Sequence, residues 1–278
     1  MITIETPANY RKKGSADGTI REDSSPRKIG PRQVLVHISH STLCASTGTV
    51  SQVGDAVAKS RIGNQCRWDY QDSNCGSPSE QRVLHLPQRD QGSFVTMAVW
   101  SEAWPSHLPK GLSNTHAAPL MCAGSTVWTA LQKNPVRPTD RVGMVGLGGL
   151  GLVAVLSAMA LGCEVVVFSK TENKREEAMK PGADEFHAAE DQQILNIGAP
   201  LDRLLVAASS QADWELFISL MALEGSIYPI TIAFDNLSIP YLEFVLSELK
   251  LHRCTVSSCQ MHIDMWEFAA RKGIKIVG

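Results

Sequence analysis

No charge of one sign dominates this sequence. Its 26 Lys and Arg stand against 28 Asp and Glu, leaving a net charge of -2. That balance argues against a general nucleic-acid binder, whose affinity comes from a basic surface. The 7 cysteines are odd in number and follow no framework spacing. They exclude a disulfide scaffold and point to a reducing, cytoplasmic compartment. Residues 1–13 are polar and hold no apolar stretch before a small-residue cleavage site, so no secretory signal is expected. Internal repeats and low-complexity tracts are also missing. Charge is absent from residues 142–163, a run long enough to span a bilayer, but Gly143, Gly146, Gly148, Gly149 and Gly151 fill its first half. A glycine cluster between an apolar strand and an apolar helix fits a buried nucleotide-binding unit, and no membrane association is expected.

What is present is a chain of 278 residues with 44% hydrophobic and 19% charged residues, enough for two ordinary globular domains. The first part, to about residue 111, reads as β structure and loops. Residues 34–39 and 93–100 are strand candidates, residues 51–72 are punctuated by glycine and polar residues, and residues 75–91 read as loop. The character changes at residues 113–133, which carry helix spacing through Leu120, Val127, Trp128 and Leu131, with Ser113 placed to cap the start.

Beyond Pro138 strands and helices alternate. Strands are expected at 141–145, 164–169, 201–207, 226–230 and 254–258, and helices at 150–161, 172–180, 214–223 and 241–249. Such alternation predicts an α/β fold with a parallel sheet covered on both faces. The expected division is a β domain over 1–112, a cofactor domain over 113–259 and a return segment over 260–278.

The sharpest chemical signal is GLGGLG, covering Gly146, Leu147, Gly148, Gly149, Leu150 and Gly151. It closes an apolar strand and opens a helix, the setting of a dinucleotide fingerprint. Gly146 permits the tight turn, Gly148 lets the backbone approach a pyrophosphate, and Gly151 lets the helix pack on the strand. An NAD site places an Asp or Glu at the end of the next strand to hold the ribose. Here that strand ends in Ser169 and Lys170, with Lys174 and Arg175 following. A hydroxyl and cations suit the extra phosphate of NADP(H), which is the expected cofactor.

These residues carry a resemblance. The stretch DRVGMVGLGGLGLVAVLSAMALGCEVVVFSKTENKREEAMK, residues 140–180, resembles the cofactor domain of zinc-type medium-chain alcohol dehydrogenases, and most of all their cinnamyl-alcohol-dehydrogenase-like and fungal branch. VLVHISHSTLC (34–44), DQGSFVTMAVWSEAW (90–104), APLMCAGSTVW (118–128) and WEFAARKGIKIV (266–277) are similar to other segments of the same family. The resemblance implies a GroES-like β domain, here reduced, and a doubly wound Rossmann domain enclosing a cleft, and a homodimer paired through the Rossmann edge strand at 254–258. By the same resemblance Cys44 matches the first zinc ligand, Ser46 the hydroxyl that relays the alcohol proton, and Cys122 the far cysteine ligand.

The departures are as informative. The family's Gly-His-Glu motif has no counterpart: the chain runs from Cys44 through Ala45, Ser46, Thr47, Gly48 and Thr49 to Val50 with no His or Glu. Cys75 survives from the structural-zinc loop, but Pro78 stands where its next cysteine would be, and the family's pattern continues past the point that Gly278 matches. A catalytic zinc needs three protein ligands. Cys44 and Cys122 supply two, and spacing selects none of His37, His40 or Asp69 as a third, so zinc is not expected.

Without that Lewis acid, hydrogen-bond donors such as Ser46, Tyr70 and the Cys44 thiol would polarise a carbonyl, and a conjugated substrate would need less help. The expected function is therefore an NADP(H)-dependent oxidoreductase acting on a carbonyl or conjugated small molecule. Two alternatives stay open. One is a non-redox cyclase or isomerase that folds an apolar substrate against some of Trp68, Tyr70, Trp100, Trp104 and Trp128. The other is a catalytically inactive homologue.

Overall fold

The computed structural model describes residues 2–3, 8–13, 20–25, 28–41, 45–69, 71–73, 82–83, 96–102, 106–208, 212–231, 236–252, 254 and 257–276. The chain divides into two compact units. One comprises Met1–Cys122 and Ser257–Gly278, and the other Ala123–Val256.

The first unit is built on a five-stranded antiparallel sheet in the order Met97–Ser101, Gln33–Ser41, Ala45–Val53, Gln65–Asp69, Ser106–His107. Apolar residues occur on both faces of its strands, because successive side chains of an extended chain point to opposite sides. Val34, Val36, Val50, Cys66, Ala98 and Trp100 close one buried cluster. Leu35, Met97 and Val99 join Ile29 in another. Trp100, a candidate substrate wall in sequence, is thus core. The expected strand at 93–100 is found at Met97–Ser101, and residues 93–95 lie outside the described residues. Most of the expected loop at 75–91 also lies outside them.

A helix, Cys259–Lys272, completes this unit. Ser258 caps it by accepting the Met261 N–H at 3.3 Å, and Gly273 ends it at φ +65°. It buries Met265, Trp266, Phe268 and Ala269, the spacing of one helix face.

The second unit is a six-stranded parallel sheet in the order Glu185–Ala188, Glu164–Ser169, Arg141–Val145, Leu201–Val206, Met221–Pro229, Lys250–Leu251. Numbered along the unit this is 3-2-1-4-5-6, the Rossmann order, so the predicted fold class is observed. The central strand Arg141–Val145 is buried along its whole length, as a parallel strand covered on both faces must be. Strand order reverses beside it, between Glu164–Ser169 and Leu201–Val206. The carboxyl ends at this reversal are where such sheets hold ligands.

Several elements depart from the sequence expectations. The helix expected at 214–223 stops at Ser219, and its last residues open the strand Met221–Pro229 instead. Pairing of Met221 with Leu201 across a bulge buries the apolar side chain that a longer helix would have left unpaired with the sheet. The helix expected at 241–249 ends at Leu246. Of the edge strand expected at 254–258, residues 255 and 256 lie outside the described residues, and Cys254, Ser257 and Ser258 are not in a strand; Lys250–Leu251 pairs with Ser226 and Ile227. Ser258 is already committed to capping a helix. The strand Glu185–Ala188 was not anticipated, because only Phe186 in it is buried and four residues show little alternation. The helix expected at 113–133 is present, with Ser113 accepting the His116 N–H at 3.5 Å, but a π-turn at Leu120–Gly124 interrupts it. Pro119 just before that turn has no N–H to donate to the preceding turn, so the regular ladder is broken there.

Candidate dinucleotide site and the catalytic candidates

The glycine loop folds as its residue types require. Gly146 sits at φ +91°, a left-handed conformation that side chains rarely adopt, and its N–H donates to the Phe168 carbonyl at 2.8 Å. A Cβ on Gly151 would lie 2.0 Å from the Gly146 carbonyl oxygen, so no larger residue lets the helix pack this close. Gly148 and Gly149 differ: a Cβ on either would meet nothing within 4 Å. Open space therefore faces the loop where a ligand's phosphates would approach the backbone.

The helix Gly149–Leu161 begins with no side-chain cap on Gly148, and Leu152 is the residue whose N–H returns to the Gly148 carbonyl at 2.9 Å. The N–H groups of Gly149, Leu150 and Gly151 precede that bond. With the positive end of the helix dipole they form an anion-binding terminus.

A cavity of about 270 Å³ adjoins this terminus, lined by Gly146, Ser169, Lys170, Ala208 and the rings of Phe168 and Phe217, among others. Those rings meet edge to face at 5.4 Å. Backbone bonds from Ala189 N to Ser169 O at 2.8 Å and from Glu190 N to Lys170 O at 3.0 Å hold the next strand's exit against the cavity. Ser169 and Lys170, singled out in sequence, thus line one wall. Lys174 and Arg175 lie beyond it, in ion pairs with Glu177 and Glu172, and Arg175 stacks over Phe186 at 4.9 Å.

Three acidic wall residues were missed by sequence reasoning: Glu190, Asp191 and Asp213. Asp213 could have been found, since it stands before an apolar helix and caps it, accepting the Leu216 N–H at 3.1 Å. Glu190 and Asp191 reach the cavity only through the unanticipated strand. The loop, the uncapped helix and the cavity fit a dinucleotide.

The catalytic candidates fall in the other unit. Cys44 and Tyr70 lie outside the described residues. Ser46 is fully buried in Ala45–Val53, with its hydroxyl 3.1 Å from that of Ser41. Cys122 is half-buried in the π-turn and is in no disulfide. Next to it, the Met121 carbonyl accepts the His262 Nε2–H at 3.0 Å, and Ser257 Oγ lies 2.9 Å from His262 Nδ1. That pair of bonds fixes the turn, and no sequence spacing announced it.

The zinc-ligand candidate His40 has both ring nitrogens engaged, by Ser39 at 3.0 Å and Thr115 at 3.1 Å. No group of three His, Cys, Asp or Glu side chains that could hold a metal is found among the described residues. The described residues around Cys122 therefore do not make up a zinc ligand set, and no chemical step is derived through a metal. Three further thiols are held in the protonated form: burial pushes Cys66 up to about 12 and Cys163 and Cys254 up to about 11. No helix among the described residues is long and apolar enough to cross a membrane.

A Rossmann sheet with a glycine-loop dinucleotide site, joined to a β-sheet unit, defines the class of two-unit nucleotide-binding proteins. Comparison with known proteins narrows it. The family model described as "Zinc-binding dehydrogenase" matches residues 149–271. The chain is 23% identical over 316 residues to an NADP-dependent alcohol dehydrogenase C of Mycolicibacterium smegmatis, covering 98% of this chain and 90% of that protein. It is 24% identical over 318 residues to a probable cinnamyl alcohol dehydrogenase of Pinus radiata, covering 99% and 88%. Among solved structures, a cinnamyl alcohol dehydrogenase of Sorghum bicolor superposes with a TM-score of 0.82 at 24% identity, covering 98% of this chain and 88% of that one. The chain is thus similar to zinc-binding dehydrogenases over residues 149–271, and to alcohol and cinnamyl alcohol dehydrogenases along nearly its whole length. Both matched stretches exceed the 278 residues of this chain, so the relatives carry residues within them that have no counterpart here.

Proposed function

We propose that this protein is an NADP(H)-dependent oxidoreductase of the alcohol dehydrogenase/reductase type. Its substrate in this reading is a carbonyl or conjugated small molecule, and it works without a catalytic zinc. The observation that carries the cofactor assignment is the uncapped terminus at Gly149 beside open space at Gly148, next to a cavity walled by Ser169 and Lys170. When bound, NADP(H) supplies or accepts the hydride.

The protein's own residues do the rest. The N–H groups of Gly149, Leu150 and Gly151 bind the pyrophosphate. Ser169 and Lys170 pair with the additional phosphate, with Lys174 one turn further on. By the family resemblance Ser46 donates a hydrogen bond to the substrate oxygen, with Cys44, Tyr70 and Cys122 around it. Hydrogen bonds polarise a carbonyl less than a metal does, which favours a conjugated acceptor. The absence of a His or Glu between Cys44 and Val50 supports the metal-free reading.

The same reading assigns the catalytic role to residues 1–112 and 260–278 together with Cys122, and cofactor binding to the rest of 113–259, in a cytoplasmic homodimer. Lys250–Leu251 supports the dimer: it ends the sheet with no strand on its outer side among the described residues.

The test is NADPH oxidation by the purified protein against a panel of saturated aldehydes and enals, with metal content measured on the same sample. Turnover of enals with NADPH and substoichiometric zinc is the expected result. One zinc per chain would overturn the metal-free part. Substrate conversion without NADPH consumption would replace the redox reading with the isomerase one.

A further inference from the structure

The cavity beside the glycine loop holds about 270 Å³, room for one heteroaromatic base and not for a whole dinucleotide. We propose that Asp213 is the residue that reads this base. Its carboxylate accepts an N–H of the exocyclic amino group of adenine, and so selects an adenine dinucleotide over one whose base carries a carbonyl at that position. This role rests on the cavity being a dinucleotide site and adds a specificity-determining residue to it.

The wall is divided by chemistry. Ala208, Ala212, Leu216 and Phe217 put no polar side-chain atom into it, so their part suits the face of an aromatic ring. Ser169 and Lys170 bring a hydroxyl and a cation, which suit the ribose and its phosphate. Asp213 belongs to the apolar part. It follows Ala212 and caps the helix Trp214–Ser219, which carries Leu216 and Phe217. The ligand group that meets Asp213 is therefore the polar edge of the ring packed on that part.

Asp213 is held ready to accept. Its Oδ1 takes the Leu216 N–H at 3.1 Å, and its backbone carbonyl takes the Phe217 N–H at 3.0 Å. These bonds fix the carboxylate before a ligand arrives, so little side-chain freedom is left to lose on binding. The carboxylate takes no other hydrogen bond among the described residues, and the residue is exposed, so a ligand in the cavity can reach it.

An ionised carboxylate has acceptors only. The adenine amino group offers it an N–H. Hypoxanthine has a carbonyl oxygen there and moves its N–H to the neighbouring ring atom, so a carboxylate fixed for the amino group faces a second acceptor and both stay unpaired. Glu190 and Asp191 also only accept, but they stand with the other part of the wall: the Glu190 N–H donates to the Lys170 carbonyl at 3.0 Å.

The experiment is a fluorescence titration of the full-length protein with NADPH and with its hypoxanthine analogue, which share the dihydronicotinamide reporter and every phosphate. The unaltered protein is expected to bind NADPH about tenfold more tightly. Asp213→Asn and Asp213→Ser both keep a helix cap and remove the carboxylate, and each is expected to bind the two dinucleotides within about twofold of one another. Lys170→Gln weakens both alike and keeps the tenfold ratio, which separates reading of the base from a change of charge. Equal binding by the unaltered protein overturns the proposal, and that comparison needs no variant. So does an unchanged ratio in either folded Asp213 variant. Binding of neither dinucleotide by the unaltered protein overturns the dinucleotide site itself, and the role of Asp213 with it.

Discussion

The Gly146 carbonyl oxygen lies 2.0 Å from where a Gly151 Cβ would be. That contact separates two kinds of glycine in one loop. Gly151→Ala must push the helix off the strand, so it is expected to lower both thermal stability and NADPH affinity. Gly148 stands at φ -99° with nothing near its Cβ position. Gly148→Ala is expected to keep the melting temperature within about 2 °C while NADPH affinity falls about tenfold or more, because the methyl occupies ligand space. Calorimetry and NADPH fluorescence titration of both variants decide it. Retained affinity in Gly148→Ala would move the phosphates away from this loop.

Lys170 lines the cavity, whereas Lys174 is held by Glu177. Lys170→Glu is therefore expected to cut the preference for NADPH over NADH by about tenfold or more, with a smaller effect for Lys174→Gln. Dissociation constants for both cofactors give the ranking. An equal or reversed effect would mean that Lys174 leaves Glu177 when cofactor binds.

Arg67 is a buried cation with little to pair it. It is 1% exposed, its Nε and Nη1 have no hydrogen-bond partner among the described residues, and its guanidinium lies 3.0 Å from the centre of the Trp266 ring. Burial holds its pKa well below the usual guanidinium range, with only Cys66 opposing. Arg67→Met keeps the bulk and drops the charge, and is expected to stabilise the protein by about 1–4 kcal/mol. Urea unfolding measures this, and a destabilised variant would show that the stacking on Trp266 outweighs desolvation.

Arg141 ties the starts of three strands together, donating to Glu164 at 2.8 Å, to Glu185, and to the Ala199 carbonyl at 2.5 Å. Burial raises the Glu185 pKa, but hydrogen bonds from His187 and Arg141 outweigh it and hold the carboxyl below its ordinary 4.5. A depressed folded-state pKa contributes stability that is full above the unfolded value and is lost as pH falls through the folded one. Stability is thus expected to fall below about pH 4.5, and Glu185→Gln should flatten that limb while lowering stability at neutral pH. Urea midpoints at successive pH values check it. An unchanged acid limb in Glu185→Gln would place the titration on other carboxylates.

Much of the second unit was legible in sequence because local patterns and tertiary demands agree there. Residues 141–145 and 164–169 are apolar runs that a doubly covered sheet requires, and they form at the bounds the pattern gave. Ser113 and the glycine loop carry their geometry in their own side chains, or in the lack of one. Where the two diverge, tertiary pairing won. Met221 left a helix pattern to pair with Leu201, and the outer strand formed at Lys250 rather than at Cys254.

By itself the sequence determined the parallel α/β sheet, the glycine loop and the resemblance to zinc-type dehydrogenases, because each is written in short-range periodicity or in contiguous motifs. Only the tertiary structure decided what surrounds those motifs. It placed Glu190, Asp191 and Asp213 around one cavity with Ser169 and Lys170, and it fixed the turn bearing Cys122 through His262. These neighbours are distant in sequence, and their juxtaposition comes from strand order and packing, which no local pattern encodes.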